Sequence, residues 1–353
     1  MDSIAIQQIN VGDDDGADIV FHLNSQQIAL SIFPSSPIEE NLDLDRQQPF
    51  LEDRLIHLLG RAVSPEVDGD EYEEILDEVL SIILDVGKDV FAKVAPLDKP
   101  AVLPLNQDLH TVLYPTTFTF GLKTVGSEPI ISSIDPSETY SCLEPESDDT
   151  LDDKLDVDDS LPHYSSKEIQ VLETFVQGAG HVVSRVLINN TELLCKARGN
   201  GVLHSGLERE LESLQKIRRA CLDRHMSISV PRILGCVKDP GSKRLVGFLR
   251  EWIPGRRLRN VSFPVALERR QKWVSQICET VDQLHDIGVI WGDGKTSNVI
   301  IDEEDNAWLI DFGGGYTEGW VEKECADTVE GDEQAVRNIK RFLSLEEGNW
   351  ETS

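Results

Sequence analysis

Apolar residues in the first part of the chain recur mostly at helical spacing. One stripe over residues 50–63 and a longer one over residues 72–94 each place their apolar side chains on one face, which is typical of amphipathic helices. Residues 17–33 alternate instead and predict two short strands around an Asn-Ser pair, and residues 100–140 predict irregular or strand-like structure. We expect an accessory region of helices and short strands here.

The apolar period changes to two in the second part of the chain. Residues 169–176, the segment HVVSRVLI and residues 192–197 predict three consecutive strands joined by tight turns. A helix follows in LERELESLQKIRRACL, then strands in RILGCV and RLVGFLREWI, and then helices near residues 267–286 and 330–345. This order predicts an α+β fold with a five-stranded antiparallel sheet and a mostly helical second lobe.

Charge separates the two parts. The 353 residues carry a net charge of −31; residues 1–160 hold 8 basic and 35 acidic side chains, whereas residues 161–353 hold 25 and 29. Because no basic surplus exists to neutralise phosphates, we expect no nucleic-acid partner. The acidic part is expected to be well solvated and to offer a surface for a protein partner.

Cysteine usage and hydropathy point to the compartment. The six cysteines form no C-x-x-C pair and no cluster at zinc spacing, which is typical of a reduced intracellular protein. The first residues lack the basic-then-apolar pattern of a secretory signal, and no apolar run approaches membrane-spanning length. We expect a cytoplasmic or nuclear protein without a membrane partner.

Polar residues that suit phosphoryl transfer follow two apolar runs. Asp293, Lys295 and Asn298 form D-x-K-x-x-N directly after V-I-W, and Asp311 opens D-F-G thirteen residues after Asn298 at the end of A-W-L-I. Phosphoryl transfer needs oxygen ligands for Mg²⁺, positive charge on the phosphates and a carboxylate at the attacking hydroxyl. We predict Asp293 as the base, Lys295 as a phosphate contact, and Asn298 and Asp311 as the metal ligands.

The stretch resembles the catalytic and metal-binding loops of the protein-kinase-like superfamily, in which H-R-D-x-K-x-x-N precedes D-F-G. It is similar in particular to short, divergent kinase-like proteins predicted in fungi, and the likeness covers roughly residues 169–345. It implies a two-lobed kinase-like fold with a truncated helical C-lobe, and ATP and Mg²⁺ as cofactors. The expected regions are an acidic accessory region at 1–142, an acidic linker at 143–162, and a kinase-like domain at 163–348, with lobes at 163–252 and 253–348.

The resemblance also implies a buried ion pair between the third strand and the following helix. Lys196 lies in the third predicted strand, and Glu210 begins E-L-x-x-L-x-x-I on the next helix, as in the family. Glu208 and Glu212 lie close by in the same helix, so the choice among the three glutamates stays open.

Two further segments resemble the family's nucleotide-contacting parts. Gly178 and Gly180 match the first two glycines of the phosphate-covering G-x-G-x-x-G loop, although a G-A-G turn needs no ligand. The backbones of Glu251 and Ile253 match the hinge that meets adenine. Arg250 departs from the usually apolar position at the back of that pocket, so the shape of the adenine site stays open.

The sequence also departs from the family in the H-R-D motif. Trp291 and Gly292 replace its histidine and arginine; Trp291 is expected to pack in the core, and Gly292 predicts the loss of the phosphate-dependent switch that the arginine serves. The family's long helix suggests that Asp332 bonds to the backbone of this loop.

Three functions fit the sequence. The intact catalytic positions favour a protein-kinase-type phosphotransferase that moves the γ-phosphate to a hydroxyl, with serine or threonine of a protein as the expected acceptor. Arg250 and the short C-lobe would fit a pseudokinase that binds nucleotide or serves as a scaffold. The W-G-D loop is also similar to the H-G-D of small-molecule kinases of the aminoglycoside-phosphotransferase type.

Overall fold

The computed structural model describes most of the chain, in segments. The described residues are 4–12, 15–24, 26–35, 50–64, 67, 69–96, 107–140, 156–178, 181–199, 201–202 and 206–344. Contacts divide the chain into two compact units. The first comprises Met1–Gln107, Thr111–Ser147 and Gln177–Gly180, and the second comprises Asp108–His110, Asp148–Val176 and His181–Ser353.

The first unit is built on a five-stranded sheet with the order β1-β2-β3-β4-β5. The elements up to residue 140 are β1 (Ile4–Val11), β2 (Ala17–Leu23), β3 (Gln26–Ile32), α1 (Leu51–Ala62), α2 (Gly69–Val94), α3 (Leu109–Leu113), β4 (Thr117–Val125) and β5 (Glu128–Ser133). The pair β3–β4 is parallel and the other neighbours are antiparallel. Helices and sheet share one core, in which Phe91 of α2 meets Phe21 and Phe120 edge-on at ring distances of 5.9 and 5.6 Å.

The helices and the strand pair expected in this unit are confirmed, but β1 was not anticipated. Its described side chains are only partly buried, and a register shift between Ile6 and Gln8 interrupts the two-residue alternation by which strands are recognised. The strand-like part of 100–140 is the hairpin of β4 and β5. Tertiary pairing, rather than apolar alternation, therefore defines β1.

The second unit holds a six-stranded sheet with the order β6-β10-β11-β9-β8-β7 and a three-stranded sheet with the order β12-β13-β14. Its elements are β6 (His163–Ser165), β7 (Gln170–Gly178), β8 (His181–Ile188), β9 (Thr191–Arg198), α4 (Gly206–Arg224), β10 (Ile233–Lys238), β11 (Leu245–Glu251), β12 (Gly255–Arg257), α5 (Leu267–Asp286), β13 (Val299–Asp302), β14 (Ala307–Leu309) and α6 (Val329–Phe342). The mixed α+β class is confirmed.

The expectation of a five-stranded antiparallel sheet is corrected by β6. This strand lies parallel to β10, with His163 opposite Cys236. Three residues are too few to show an alternation, and a parallel pairing leaves no hairpin turn in the sequence.

The acidic linker expected at 143–162 is also corrected in part. Within it, residues 156–162 are packed into the second unit: Leu161 is 3% exposed, and Arg218 pairs with Asp158 at 2.8 Å. Residues 143–155 lie outside the described part. The charge count predicted solvation here, but a partner on α4 neutralises one of these acids.

A second correction concerns the apolar run V-I-W, which was expected to be a strand. Residues 289–291 form no strand, because the backbone N–H of Val289 bonds to Leu284 and that of Trp291 bonds to a carboxylate of α6. The run is apolar because Val289 and Trp291 are buried in the core of this unit. Asn298 immediately precedes β13, and the expected strand in A-W-L-I is β14.

Buried aromatic rings fill the core of the second unit. Trp273, Trp291, Phe248 and Phe312 are its largest fully buried side chains. Among the described residues, no helix is both long enough and apolar enough to cross a lipid bilayer.

Candidate active site

A buried lysine joins three elements of the second unit. Lys196 lies in β9 between β8 and β11, opposite Val183 and Phe248. Its Nζ donates to Glu210 Oε2 of α4 at 2.5 Å and to Asp311 Oδ1 at 2.8 Å. The lysine is therefore held between the two carboxylates that flank it.

The structure selects one glutamate from the three candidates on α4. Glu210 is 1% exposed, whereas Glu212 is exposed and Glu208 is only partly buried. Helical geometry directs position 210 toward the sheet together with the buried neighbour Leu211. The pair predicted from the resemblance is thus formed by Lys196 and Glu210.

Opposite charges keep Lys196 and Asp311 ionised. Burial acts to lower the pKa of Lys196, but the carboxylates of Glu210 and Asp311 outweigh it and raise that pKa. Burial acts to raise the pKa of Asp311, but Lys196 outweighs it and lowers that pKa. Burial raises the pKa of Glu210, whose Oε1 has no hydrogen-bond partner among the described residues. Lys196 and Asp311 therefore form a charged pair at neutral pH.

A second polar group surrounds Asp293. Lys295 Nζ lies 2.6 Å from Asp293 Oδ2, and the Asn298 amide donates to the same oxygen and to the Asp293 backbone carbonyl, both at 2.9 Å. The Thr317 hydroxyl donates to Asp293 Oδ1 at 3.0 Å and accepts from Lys295 Nζ at 2.9 Å. Three side chains thereby fix the orientation of one carboxylate.

The strands β13 and β14 bring the ends of the two motifs together. Val299 pairs with Leu309, and the backbone N–H of Ile310 donates to the Asn298 carbonyl at 3.0 Å. Asp311 follows with a φ of +71°, a left-handed conformation that non-glycine residues seldom adopt. Asn298, just before β13, and Asp311, just after β14, therefore lie at the same end of this short hairpin.

At this end of the hairpin, side-chain oxygens of Asn298 and Asp311 remain available to bind a divalent cation. Asn298 uses its amide nitrogen, and its Oδ1 accepts no hydrogen bond from the described residues. Asp311 engages Lys196 through Oδ1, and its side chain is 41% exposed. The described residues gather no group of three or more His, Cys, Asp or Glu for a metal, but Mg²⁺ beside a nucleotide needs only one or two protein oxygens.

The backbone before Asp293 is held by α6. Asp332, 1% exposed, accepts from the backbone N–H of Trp291 at 2.8 Å and of Gly292 at 2.9 Å, and its Oδ2 lies 2.9 Å from His285 Nε2. The bond expected between Asp332 and this loop is confirmed. Trp291 is fully buried, as expected, and its indole N–H donates to the Ile310 carbonyl at 2.9 Å. That bond couples the loop to the residue before Asp311.

Arg209 occupies the space that Gly292 leaves open. A Cβ at Gly292 would meet Arg209 Nη2 and Asp327 Oδ1, and a Cβ at Gly314 would overlap Arg209 Nη1. Arg209 forms an ion pair with Asp327, whose Oδ1 also accepts from the Gly315 backbone N–H at 3.3 Å. Both glycines have positive φ values, +82° and +75°. Sequence reasoning missed this pair because more than a hundred residues separate its members.

Thr317 was missed as well. The only hint in the sequence was its position six residues after Asp311, since a lone threonine in a glycine-rich segment is equally typical of a turn. The structure adds it to the group around Asp293.

The remaining predicted residues that the structure describes lie at or near strand ends of the six-stranded sheet. Gly178 is the last residue of β7, and Gly180 lies outside the described residues. Glu251 ends β11, and Ile253 is 7% exposed two residues later. Arg250, 4% exposed, is buried at the position where the family is usually apolar. Nucleotide contacts by these residues stay predictions.

No protein-family model matches the chain. Over 143 residues, 40% of this chain, the sequence is 26% identical to the KEOPS complex subunit Bud32 of Pyrococcus abyssi (strain GE5 / Orsay), of which the match covers 57%. Over 66 residues, 18% of this chain, it is 36% identical to the protein named "Probable serine/threonine-protein kinase KIN1 homolog" of Encephalitozoon cuniculi (strain GB-M1), of which the match covers 12%. The chain thus spans less than two thirds of either relative. Over the matched part it is a divergent protein-kinase-like sequence.

Proposed function

We propose that the chain is an ATP- and Mg²⁺-dependent phosphotransferase of the protein-kinase type that acts on a serine or threonine hydroxyl. One observation carries the proposal. The hairpin of β13 and β14 connects the segment that holds the oriented Asp293 carboxylate to Asp311, which forms the charged pair with Lys196. The kinase named among the relatives supports phosphotransferase chemistry at a coarse level.

The residues present fit a magnesium-bound nucleotide. The side-chain amide oxygen of Asn298 and the partly exposed carboxylate of Asp311 would hold Mg²⁺. Lys196 would contact the phosphates, and Glu210 would fix the position of Lys196. When bound, Mg·ATP supplies a γ-phosphoryl group whose charge the metal neutralises. The hinge backbones of Glu251 and Ile253, together with Gly178 and Gly180, are the proposed contacts for the rest of the nucleotide.

Asp293 has the geometry of a general base. Its Oδ1 accepts only the Thr317 hydroxyl among the described residues, so a lone pair remains for an acceptor hydroxyl. Asp293 would take the proton of the acceptor hydroxyl as the phosphoryl group passes to that oxygen and leaves its former oxygen on the nucleotide. Lys295 lies 2.6 Å from Asp293 Oδ2 and supplies positive charge beside the transferred group.

Transfer of the γ-phosphate measured with conservative variants tests this function. We expect Asp293→Asn to lower the rate at least about a hundredfold, because the amide cannot accept the proton. Asp311→Asn should lower it because the neutral amide is a poorer metal ligand and forms no ion pair with Lys196. Glu303→Gln changes an exposed side chain on the turn between β13 and β14 and serves as the control. Transfer that continues unchanged in Asp293→Asn would refute the assignment of the base.

The acceptor class is tested in the same assay. We expect wild-type protein to phosphorylate serine- and threonine-containing protein substrates more rapidly than a panel of aminoglycosides and other small hydroxyl compounds. Faster transfer to the small molecules would instead support the similarity of W-G-D to the H-G-D loop. A protein partner for the acidic first unit stays a prediction, and the relative named as a subunit of a complex is consistent with it.

A further inference from the structure

Three exposed arginines lie close together after β11 and form what we call the basic cluster. Arg256 and Arg257 belong to β12, and Arg259 follows in the short turn at Leu258–Asn260. All three side chains are exposed, whereas Leu258 between them is fully buried. The buried leucine therefore anchors the segment while the arginines on either side of it remain open to solvent.

The positive charge of the basic cluster is not neutralised within the described part of the chain. None of its three side chains forms an ion pair or a hydrogen bond with another described residue. Arg232, by contrast, pairs with Glu251 at 3.2 Å. Asp302 lies opposite Gly255 at the start of β12, but its carboxylate accepts from the Trp308 indole at 2.7 Å instead. The cluster thus offers three unpaired guanidinium groups.

The basic cluster lies beside the segment that carries the proposed base. In the pairing of β12 with β13, Arg257 is opposite the second residue after Asn298, which is roughly 7 Å along the strand. The Asn298 amide bonds to Asp293 at 2.9 Å. The turns at 258–260 and 296–298 also contact each other. An extended stretch of about five residues spans roughly 17 Å, so one that starts at Asp293 is long enough to reach the cluster.

Guanidinium groups match the carboxylates of an acidic protein segment. Arginine stays charged and presents paired N–H donors that fit the two oxygens of a carboxylate. The cluster spans four residues, at most about 11 Å, which suits a short acidic stretch. A nucleic-acid strand carries its phosphates over a longer path and would extend beyond the cluster onto a chain with a net charge of −31.

We propose that Arg256, Arg257 and Arg259 bind acidic side chains that flank the acceptor hydroxyl of a protein substrate. The site then prefers serine or threonine within an acidic sequence. The inference rests on the proposed function, because it names the substrate class of the same site. The three arginines bind and position the substrate and take no part in the transfer step.

Phosphorylation of three synthetic peptides by the full chain tests the preference. Each peptide has one central serine, flanked on both sides by aspartates, by alanines or by lysines. We expect kcat/KM to be about tenfold higher for the aspartate peptide than for the alanine peptide, because several exposed charge pairs each contribute a small factor. Raising the salt concentration from about 0.05 to about 0.5 M should remove most of this difference.

Substitutions then assign the preference to the basic cluster. Glutamine in place of all three of its arginines should remove most of the difference between the aspartate and alanine peptides. The matched control combines Lys216→Gln, Arg219→Gln and Arg224→Gln, which removes the same charge from exposed positions of α4 and should keep the preference. Circular dichroism establishes that each variant is folded, and the wild-type comparison stands even where a variant does not fold.

Fluorescence anisotropy of the same peptides, labelled with a dye, measures binding without relying on transfer. Wild-type protein should bind the aspartate peptide about tenfold more tightly than the alanine peptide, and the cluster variant should bind the two nearly equally. A labelled single-stranded RNA of the same length tests the alternative occupant. RNA that binds more tightly than the aspartate peptide, and loses this binding in the cluster variant, overturns the inference.

The outcomes separate this inference from the proposed function. Equal kcat/KM for the aspartate and alanine peptides, or a preference that persists in the folded cluster variant, overturns the inference and leaves the phosphotransferase proposal standing. Absence of transfer to every peptide and protein, with the binding preference intact, overturns the proposed function and leaves the basic cluster as a site for acidic segments.

Discussion

Arg209 on α4 forms an ion pair with Asp327 in the segment that leads to α6. The pair lies directly over Gly292 and Gly314, which have no side chains to exclude it. Because Glu210 is the next residue of α4, a contact that fixes Arg209 also restrains the partner of Lys196. In this chain an ion pair between Arg209 and Asp327 joins α4 to the segment after Asp311, where the resemblance would have an arginine and a phosphate.

Replacing Gly314 should destabilise the second unit more than replacing an equivalent glycine. Gly314→Ala and Gly319→Ala impose alanine at nearly the same left-handed conformation, with φ values of +75° and +79°. Only at Gly314 would the new Cβ overlap Arg209, whereas nothing lies within 4 Å at Gly319. We expect a loss of roughly 1 kcal/mol in unfolding free energy for Gly319→Ala and up to about 1 kcal/mol more for Gly314→Ala, because Arg209 must leave its ion pair with Asp327.

Urea unfolding followed by tryptophan fluorescence measures this difference. Five of the six tryptophans lie at positions 252–320 of the second unit, so the emission mainly follows that unit. Adding Arg209→Ala should bring the loss in Gly314→Ala down toward that in Gly319→Ala. Equal losses in the two single variants would show that Arg209 does not occupy the space above Gly314.

Removing the Asp332 carboxylate should be among the most destabilising polar changes in this unit. Asp332→Ala leaves the buried N–H groups of Trp291 and Gly292 without an acceptor, and each unsatisfied donor costs about 1–3 kcal/mol. Asp332→Asn keeps one oxygen and should lose less. Glu333→Ala, an exposed neighbour on the same helix, should change the unfolding free energy by less than about 0.5 kcal/mol. An Asp332→Ala variant as stable as the Glu333→Ala control would contradict the anchoring role.

Replacing Trp291 should destabilise the fold more than replacing Trp308, which is also hydrogen-bonded. Trp291→Phe removes the donor to the buried Ile310 carbonyl and leaves a small void, for an expected loss of about 2 kcal/mol. Trp308→Phe removes a bond to the Asp302 carboxylate, but that residue is only partly buried and water can replace the donor. Thermal melts followed by circular dichroism test this ranking. A larger drop in melting temperature for Trp308→Phe than for Trp291→Phe would contradict it.

Thr317 should act through the position of Asp293. Thr317→Val removes the hydroxyl that donates to Asp293 Oδ1, so we expect kcat to fall roughly ten- to a hundredfold. The KM for nucleotide should change little, because none of the proposed nucleotide contacts is altered. Thr317→Ser retains the hydroxyl and should recover most of the rate. Steady-state kinetics of wild type, Thr317→Val and Thr317→Ser gives kcat and the KM for nucleotide. A change in KM without a fall in kcat would contradict a positioning role.

The Asp311–Lys196 pair should produce a pH-dependent contribution to stability. Lys196 lowers the pKa of Asp311 in the folded protein below the ordinary value of about 3.9. A carboxyl with a lowered folded-state pKa stabilises the fold above its unfolded pKa and loses that contribution as the pH falls through its folded pKa. Asp311→Asn should therefore be less stable than wild type at pH 7, with a gap that narrows as the pH falls below about 4.

Urea unfolding at a series of pH values between 3 and 7 measures this gap. Repeating it in a Lys196→Met background isolates the pair, because without the lysine only the smaller contributions of Lys295 and Arg250 still favour the charged form of Asp311, and the gap should shrink. A gap that is constant across the pH range in otherwise wild-type protein would show that Asp311 is not stabilised by Lys196.

The sequence by itself determined the elements that depend on local pattern. Helix α5 has the predicted bounds, and the strands around Lys196 follow from alternation and tight turns. The motif spacing also located Asp293, Asn298 and Asp311, because these residues lie within one short hairpin and its flanks. Local periodicity is sufficient where the partners are close in the chain.

Only the tertiary structure decided the contacts that join distant segments. It paired Lys196 with Glu210 rather than with its neighbours, added β6 to the sheet by a parallel pairing, and showed that the run ending at Trp291 is buried without being a strand. It also revealed the contact of Arg250 with Glu251 and the pair of Arg209 with Asp327. Such contacts depend on burial and on the meeting of side chains from separate elements, which no repeat along the chain encodes.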